Sequence, residues 1–458
     1  MWCRMALSSR CLSMLMVVTR CLSVCAIDVD LNNPDSIKGV TKVIAQDMLS
    51  YYHGNEPGHV PGNLPDPYFW WECGAMFGAL IDYWFYTGDS TFNDLVTKGL
   101  IFQASPSKNF MPPNQTLSEG NDDQGFWAIA AMAAAERKFP DPPSHSPQWL
   151  TLAQGVFNSQ AVRWDMDTCA GGLKWQIFAL NNGYDYKNTI SNGCFFNLAA
   201  RLALYTRNET FAEWADKTWD WVTRIGLISE DWQVYDGADD LLNCTEVNHE
   251  QWSYNAAVFL HGAAAMYNYS YGDPKWEARV QGLLTGLSPF FVPETNVMHE
   301  FYCEYSDNCL VDQRSFKAYL ARWLAATTQI APFTASYIMP RLRASASAAA
   351  KACTGGKNGR TCGLKWTTGA YDGYDGVGEQ MAALEVIQSN LIALKEVPYT
   401  SDTGGTSKGD PNAGMGGGSK PDLVGFSKIT PSDSTGAAIL TAIVVLGIVW
   451  GTYWVVQP

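Results

Sequence analysis

The stretch SEGNDDQGFW, residues 118–127, sets two aspartates, Asp122 and Asp123, directly before an aromatic pair and a run of alanines that reaches Ala135. Adjacent carboxylates repel each other, so a chain that keeps them together uses them at a helix start or in chemistry. As a helix start the stretch reads well. Asn121 can cap, with Gln124 at N3 in a capping-box-like arrangement, and the helix dipole favours acidic residues in the first turn. That account needs one carboxylate, not two. Glycoside hydrolysis uses both: one carboxyl group protonates the leaving oxygen while the other attacks the sugar or activates water, and retaining enzymes hold the two about 5 Å apart. Neighbours at the mouth of a helix can meet that spacing, whereas in mid-helix successive side chains diverge. Mutual repulsion would keep one proton on the pair at higher pH.

From this helix outward, the body between about 30 and 397 carries apolar residues at helical spacing, broken by Gly, Pro and Asn clusters. The pattern predicts about twelve helices: 36–53, 72–87, 90–103, 122–138, 147–162, 190–207, 209–226, 250–271, 274–290, 313–330, 332–351 and 376–394. Long loops at 54–70, 106–121, 163–189, 227–249, 291–312 and 352–375 recur after alternate helices and are rich in aromatics, glycines and aspartates. Six hairpins with one rich loop each predict an all-α fold, an (α/α)6 toroid whose loops form a shared rim.

The two ends differ from the body. Residues 1–26 read as a secretory signal, with Arg4, the apolar run CLSMLMVV and small residues in SVCA. Residues 398–435, rich in Gly, Ser, Lys and Asp, read as a flexible stalk. Residues 436–458 are uncharged and long enough to span a bilayer. A small-residue site, a polar spacer and a hydrophobic tail describe a GPI-attachment signal; a single transmembrane helix is the alternative. Eight of the twelve cysteines lie beyond residue 26, an even number that fits disulfides in an oxidising compartment, and the close pairs Cys303/Cys309 and Cys353/Cys362 are the expected bridges. Sequons begin at Asn114, Asn208, Asn243 and Asn268.

The net charge of −14 argues against nucleic acid. Eighteen tryptophans suit sugar stacking as well as a core. The six histidines form no cluster and no cysteine or histidine spacing fits zinc, so no metal or cofactor is expected; the lack of a Gly-x-Ser-x-Gly elbow argues against serine hydrolase chemistry. YDGADDLLNC holds Asp236, Asp239 and Asp240 in a long loop, as either a solvated turn or a sugar-binding element. DMD at 165–167 lacks the surroundings of a catalytic metal site, and YDGYDGVGE at 371–379 reads as a Gly-rich turn and not a calcium loop.

NDDQGFWAIAAMAAAE resembles the aspartate-pair motif of glycoside hydrolase family 76, the endo-α-1,6-mannanases. Further blocks match in order: WWECGAMFGALIDYWFYTGD, GGLKWQIF, YKNTISNGCFFNLAARLALYT, WSYNAAVFLHGAAAMYN, DQRSFKAYLARWLA and GVGEQMAALEVI. The resemblance covers about residues 30 to 395, and the two terminal signals make it similar to the fungal cell-surface branch. It implies an (α/α)6 barrel and a retaining mechanism on α-1,6-mannosidic bonds, with Asp122 as nucleophile and Asp123 as general acid/base. Trp71, Asn192, Asp239, Asp240, Trp252 and Tyr254, in the matching blocks or the acidic loop, are expected to line the sugar groove. The fungal branch further implies wall assembly, with a mannan or GPI-core-glycan donor and a β-glucan acceptor. A glycan-binding wall protein that keeps the fold without turnover is the alternative, and retention of both aspartates counts against it.

Overall fold

The computed structural model describes residues 27–115 and 118–415, with a few residues between 439 and 450. The expected secretory segment, the stalk beyond 415 and most of the apolar stretch 436–458 lie outside the described residues. No helix among the described residues is long and apolar enough to cross a membrane.

The described body contains twelve α-helices: α1 (Pro34–Leu49), α2 (Trp70–Thr87), α3 (Asn93–Gln103), α4 (Asn121–Glu136), α5 (Trp149–Val162), α6 (Thr189–Thr206), α7 (Glu209–Arg224), α8 (Ser253–Tyr269), α9 (Pro274–Gly286), α10 (Phe316–Ile330), α11 (Ala335–Ala352) and α12 (Val377–Gln388). Local chemistry starts several of them. Asn33 caps α1 and Asp273 caps α9, each ahead of a proline that supplies a fixed φ and needs no helical N–H partner.

The even-numbered helices form the inner ring. Each packs on the next, and the ring closes where α12 meets α2. The odd-numbered helices pack outside them. Residue character follows this division. On α4 every residue except Asp123 is buried, the expectation for a helix walled in on all sides. Outer α7 instead buries one stripe, through Phe211, Ala215, Trp219 and Val222, and turns its charges outward.

At one end of the ring the inner helices carry paired charges. Asp82 of α2 meets Arg137, which follows α4, and Arg322 of α10. Arg322 also reaches Glu385 of α12 at 2.7 Å, and Arg201 of α6 reaches Glu136 at 2.5 Å. Buried charges persist only when paired, because an unpartnered one pays the full desolvation cost. At the other end lie the inner helix N-termini and the long loops. Small sheets brace these loops. One is antiparallel, of β1 (Tyr186–Asn188), β2 (Gly237–Asp239) and β3 (Val247–Asn248). The other pairs β4 (Cys353–Gly355) with β5 (Thr361–Cys362).

Cys303–Cys309 and Cys353–Cys362 form the bridges expected from their spacing. A third, Cys169–Cys244, joins two long loops across 75 residues. The even count nevertheless misleads, since Cys73 and Cys194 are buried thiols. They lie within α2 and α6, packed in the core cluster.

The stalk expected from residue 398 also begins too early. Residues 398–415 form a strap fastened to the body. Tyr399 N–H donates to the Glu136 carbonyl at 2.8 Å, Leu150 N–H to Ser407 Oγ at 2.9 Å, and Asn158 Nδ2 to the Ala413 carbonyl at 2.8 Å. Asp410 pairs with Lys108 at 2.8 Å, and Ala413 is buried. The strap has no apolar stripe, and it is held mainly by hydrogen bonds from its own backbone groups to backbone and side chains of the body. Ending the chain at 397 is therefore expected to lower the unfolding temperature by several degrees relative to a chain ending at 415, since about 1 kcal/mol moves a domain of this class by a few degrees. Equal thermal unfolding curves would show the strap to be passive.

Candidate active site

The N-terminal ends of the inner helices surround a cavity of about 590 Å³. Its lining includes Trp70 and Trp71 from α2, Asp122, Asp123 and Phe126 from α4, Trp252 and Tyr254 at the start of α8, and Phe316 from α10. Tyr186 and Asn188 of β1 and, from the loops, Glu119, Trp175, Gln176, Asp236, Glu250 and Asp312 also line it. The aromatics touch one another: Trp71 and Phe126 at 4.6 Å between ring centroids, Tyr254 and Phe316 stacked at 3.8 Å. The lining carries six carboxylates and no lysine, arginine or histidine. The cavity thus offers ring faces and hydrogen-bond acceptors, a surface suited to a polyhydroxylated ligand.

The aspartate pair sits at the head of α4 in a form the sequence reading only partly anticipates. The cap position belongs to Gly120, not Asn121, and the N3 residue that closes the capping box is Asp123, not Gln124. Asp123 Oδ2 accepts the Gly120 N–H at 2.7 Å. Asn121 instead donates to the Lys174 carbonyl at 2.8 Å, and Gln124 to the Asn109 carbonyl at 2.7 Å, both fastening loops. The cap and the chemistry thus share one residue. Asp122 is buried, and its carboxylate accepts from Asn188 Nδ2 at 3.0 Å and from the Asp123 N–H at 3.1 Å. A Cβ on Gly120 would lie 2.5 Å from Asp122 Oδ1 and 3.2 Å from Asp123 Oδ2, so both carboxylates fold over the glycine and a side chain there would displace that of Asp122. These two oxygens are necessarily closer than the ~6.5–9.5 Å spacing of inverting glycosidases.

Burial raises Glu119, Asp122, Asp123, Asp236 and Asp312. Asp122 is pushed well above the usual carboxylate range by burial and by the neighbouring Asp123. Asp123 is raised to about 6 by burial, with Asp312 adding to it and the Gly120 N–H opposing. Asp236, which accepts from the Tyr186 hydroxyl at 2.9 Å, is raised to about 6 by burial. Glu119 is raised further by burial against the pull of Arg163. The converging N-termini of the inner helices favour the ionised members.

Of the expected groove residues, Asp122, Asp123, Trp71, Trp252 and Tyr254 line the cavity, whereas Asn192, Asp239 and Asp240 do not. Asn192 is fully buried and clamps the Leu173 backbone, accepting its N–H at 2.8 Å and donating to its carbonyl at 3.0 Å. Asp239 accepts the Leu241 N–H at 2.9 Å. Asp240 is buried and pairs with Lys174, which ties two loops together. Asp236, just before β2, is the acidic-loop member that reaches the cavity. Asn188 and Tyr186 were missed. A helix-capping asparagine in YKNTIS signals Asn188, but nothing local shows that its amide also reaches Asp122. Asp165 of DMD pairs with Lys187 at 3.0 Å, a fastening role. Asp372 accepts the Lys365 N–H at 2.8 Å, in keeping with a turn. Among the described residues no group of three His, Cys, Asp or Glu is placed to hold a metal ion.

The description Glycosyl hydrolase family 76 matches residues 36–402. The chain belongs to this family. It is 46% identical over 433 residues to the mannan endo-1,6-alpha-mannosidase DCW1 of Saccharomyces cerevisiae, covering 94% of this chain and 95% of that one. It is 43% identical to the mannan endo-1,6-alpha-mannosidase DFG5 of the same yeast, covering 94% of each. Among solved structures, Dfg5 from Chaetomium thermophilum in complex with glucosamine is 49% identical, with a TM-score of 0.81 over 84% of this chain and 97% of that one. An inactive α-1,6-mannanase GH76A variant of Salegentibacter in complex with α-1,6-mannotriose shares the fold, with a TM-score of 0.62 at 16% identity over 78% of this chain and 99% of that one. The family 76 membership accounts for the (α/α)6 ring.

The raised carboxyls set a pH dependence of stability. Asp123 and Asp236 at about 6, Glu379 at about 7, and Glu72 and Glu300 at about 8 keep protons in the folded state that the unfolded chain loses near pH 4. The folded state then binds more protons across that window, so stability falls as pH rises through it. The unfolding temperature is expected to be higher at pH 5 than at pH 8, with Asp123→Asn narrowing the gap. A flat or rising profile would contradict these burial effects.

Proposed function

We propose that this family 76 chain is a retaining enzyme acting on α-1,6-linked mannosides at a fungal cell surface, and that it transfers as well as hydrolyses. The observation that carries the reading is the Asp122–Asp123 pair folded over Gly120 inside the cavity. Asp122 attacks the anomeric carbon while the Asp123 carboxylic acid protonates the departing oxygen, leaving a glycosyl ester on Asp122. Asn188 and the Asp123 N–H aim the nucleophile and oppose the upward pull of burial on its carboxyl, favouring the ionised form that attacks. Asp123, now a carboxylate, takes the proton of the incoming hydroxyl as it displaces the ester. Water as acceptor gives hydrolysis and a sugar hydroxyl gives transfer.

The names of the DCW1 and DFG5 relatives support α-1,6-mannan as donor class. The glucosamine held by the Chaetomium relative supports a GPI core glycan as a second donor, because an amino sugar suits so acidic a wall. A β-glucan is the proposed acceptor. Residues 1–26 are proposed as the secretory signal, and 436–458 as the source of a GPI anchor on the outer face of the plasma membrane. Asn114, Asn208 and Asn243, all exposed, are the sequons best placed for glycans. Asn268 is half-buried and donates through Nδ2 to the Ile330 carbonyl at 3.1 Å, so a glycan there would break that bond.

The test uses a labelled α-1,6-mannoside, with and without a β-glucan oligomer, followed by mass and anomeric NMR. The protein should give α-anomeric products, and a larger labelled product when acceptor is present. Asp122→Asn and Asp123→Asn should each fold and lose at least about a thousandfold in turnover. Unchanged turnover in both variants would sink the assignment. Binding without turnover in the unaltered protein would instead indicate a glycan-binding wall protein. Asn188→Ala should lower kcat by about tenfold to a hundredfold with KM little changed, since it acts on the nucleophile and not on the bound sugar.

A further inference from the structure

The loops at the cavity end carry an unusual set of exposed apolar side chains that take no part in the cavity. Met166 and Leu180 stand on the loop before α6, Leu241 and Leu242 on the loop before α8, and Tyr305 and Leu310 on the loop before α10. Leu180 is 82% exposed and Leu241 72%. They are rigidly presented. Cys169–Cys244 and the Lys174–Asp240 pair tie the first loop to the second, and Cys303–Cys309 closes the third. Trp252 touches Tyr302 at 5.4 Å, joining the third loop to the rim of the cavity. Soluble surfaces rarely fix aliphatic groups outward in this way without an apolar partner. Five of the six have neither a ring face nor a hydrogen-bonding edge to offer a sugar. At the opposite end of the ring, Tyr271 lies under the Arg207 guanidinium at 5.0 Å and Phe333 against Tyr267 at 5.2 Å, and Leu394 and Val397 are exposed beside the strap.

The strap is an independent observation. It starts at the charged end of the ring, beside Glu136 and Tyr205, and climbs along α5. It finishes where Gly414 N–H donates to the Ser107 carbonyl at 2.8 Å, on the loop that leads to the aspartate pair. The described strap therefore ends on the cavity side. Residues 416–435 follow, and then the apolar run 436–458.

We propose that the cavity-end loops form a lipid-facing surface, on which the anchored protein rests against a zwitterionic bilayer with its cavity opening toward glycans held in that bilayer. The occupant is zwitterionic because an acidic cavity and a net charge of −14 repel an anionic surface. The proposal rests on the reading above that the chain is membrane-attached and takes a membrane-held donor.

The full mature chain is reconstituted in phosphatidylcholine vesicles, carrying a polarity-sensitive dye at Leu241→Cys or, on the opposite end, at Tyr271→Cys. Cys73 and Cys194 are buried and the other cysteines of the described body are bridged, so the introduced thiol is the one that reacts. A quencher placed in the bilayer should dim the dye at 241 at least twofold more than at 271. Equal or reversed quenching overturns the proposal. A response at 241 to soluble mannan as large as that to lipid also overturns it and gives the surface to glycan. So does a response that grows with protein concentration in detergent, which gives it to a second copy. The double variant Leu241→Asp, Leu310→Asp should lose about tenfold on a vesicle-held donor and keep its rate on soluble α-1,6-mannotriose; loss on both counts against a lipid role. Quenching at 241 without any turnover of soluble mannoside would uphold the surface while refuting the activity.

Discussion

The close approach of the inner helices is the constraint on which the site depends. Gly125 of α4 lies where a Cβ would come within 2.6 Å of the Cys194 Cβ on α6, and Gly74 of α2 where one would come within 2.7 Å of the Trp127 ring on α4. Two glycines and two well-packed side chains thus set how α2, α4 and α6 sit against one another. Close-packed interiors transmit such displacements and do not absorb them. Asp122 projects from α4, while its partner Asn188 caps α6. A larger residue at 125 would push the two helices apart and open that hydrogen bond.

The ring separates charge along its axis. At the closed end, Asp82, Glu136 and Glu385 are neutralised by Arg137, Arg201 and Arg322. At the open end, acids crowd a cavity whose lining holds no cation. The lysines nearest the acidic loops, Lys174 and Lys187, are turned away to hold Asp240 and Asp165. The carboxyls that face the cavity are left to helix termini, backbone N–H groups and each other. Burial, working against those donors, holds the protons of Glu119, Asp122, Asp123, Asp236 and Asp312 at higher pH, and Asp123, raised to about 6, sits beside the donor-supplied Asp122.

Much of this was legible in the chain. The 3.6-residue periodicity placed twelve helices, and the alternation of short and long loops placed the open end of the ring. SEGNDDQGFW pointed to both a helix start and a carboxylate pair, and Asp123 performs the cap while facing the cavity. Less of the remaining wall could be read. Asn192, Asp239 and Asp240 lie in telling blocks yet hold loops in place, while Asp236 and Asn188, close by in sequence, reach the cavity.

What the sequence determined by itself was which residues are buried together along a helix, because that pattern repeats over a few residues and needs no partner. The short bridges Cys303–Cys309 and Cys353–Cys362 belong to the same class, closing loops of only 6 and 9 residues. The Cys169–Cys244 bridge, the two buried thiols, the strap of 398–415 and the identity of the groove residues were decided by the tertiary structure. Each depends on contacts between segments far apart in the chain. A side chain in a loop turns toward the cavity or away from it according to which distant lysine, carbonyl or thiol lies within reach, and no local spacing records that.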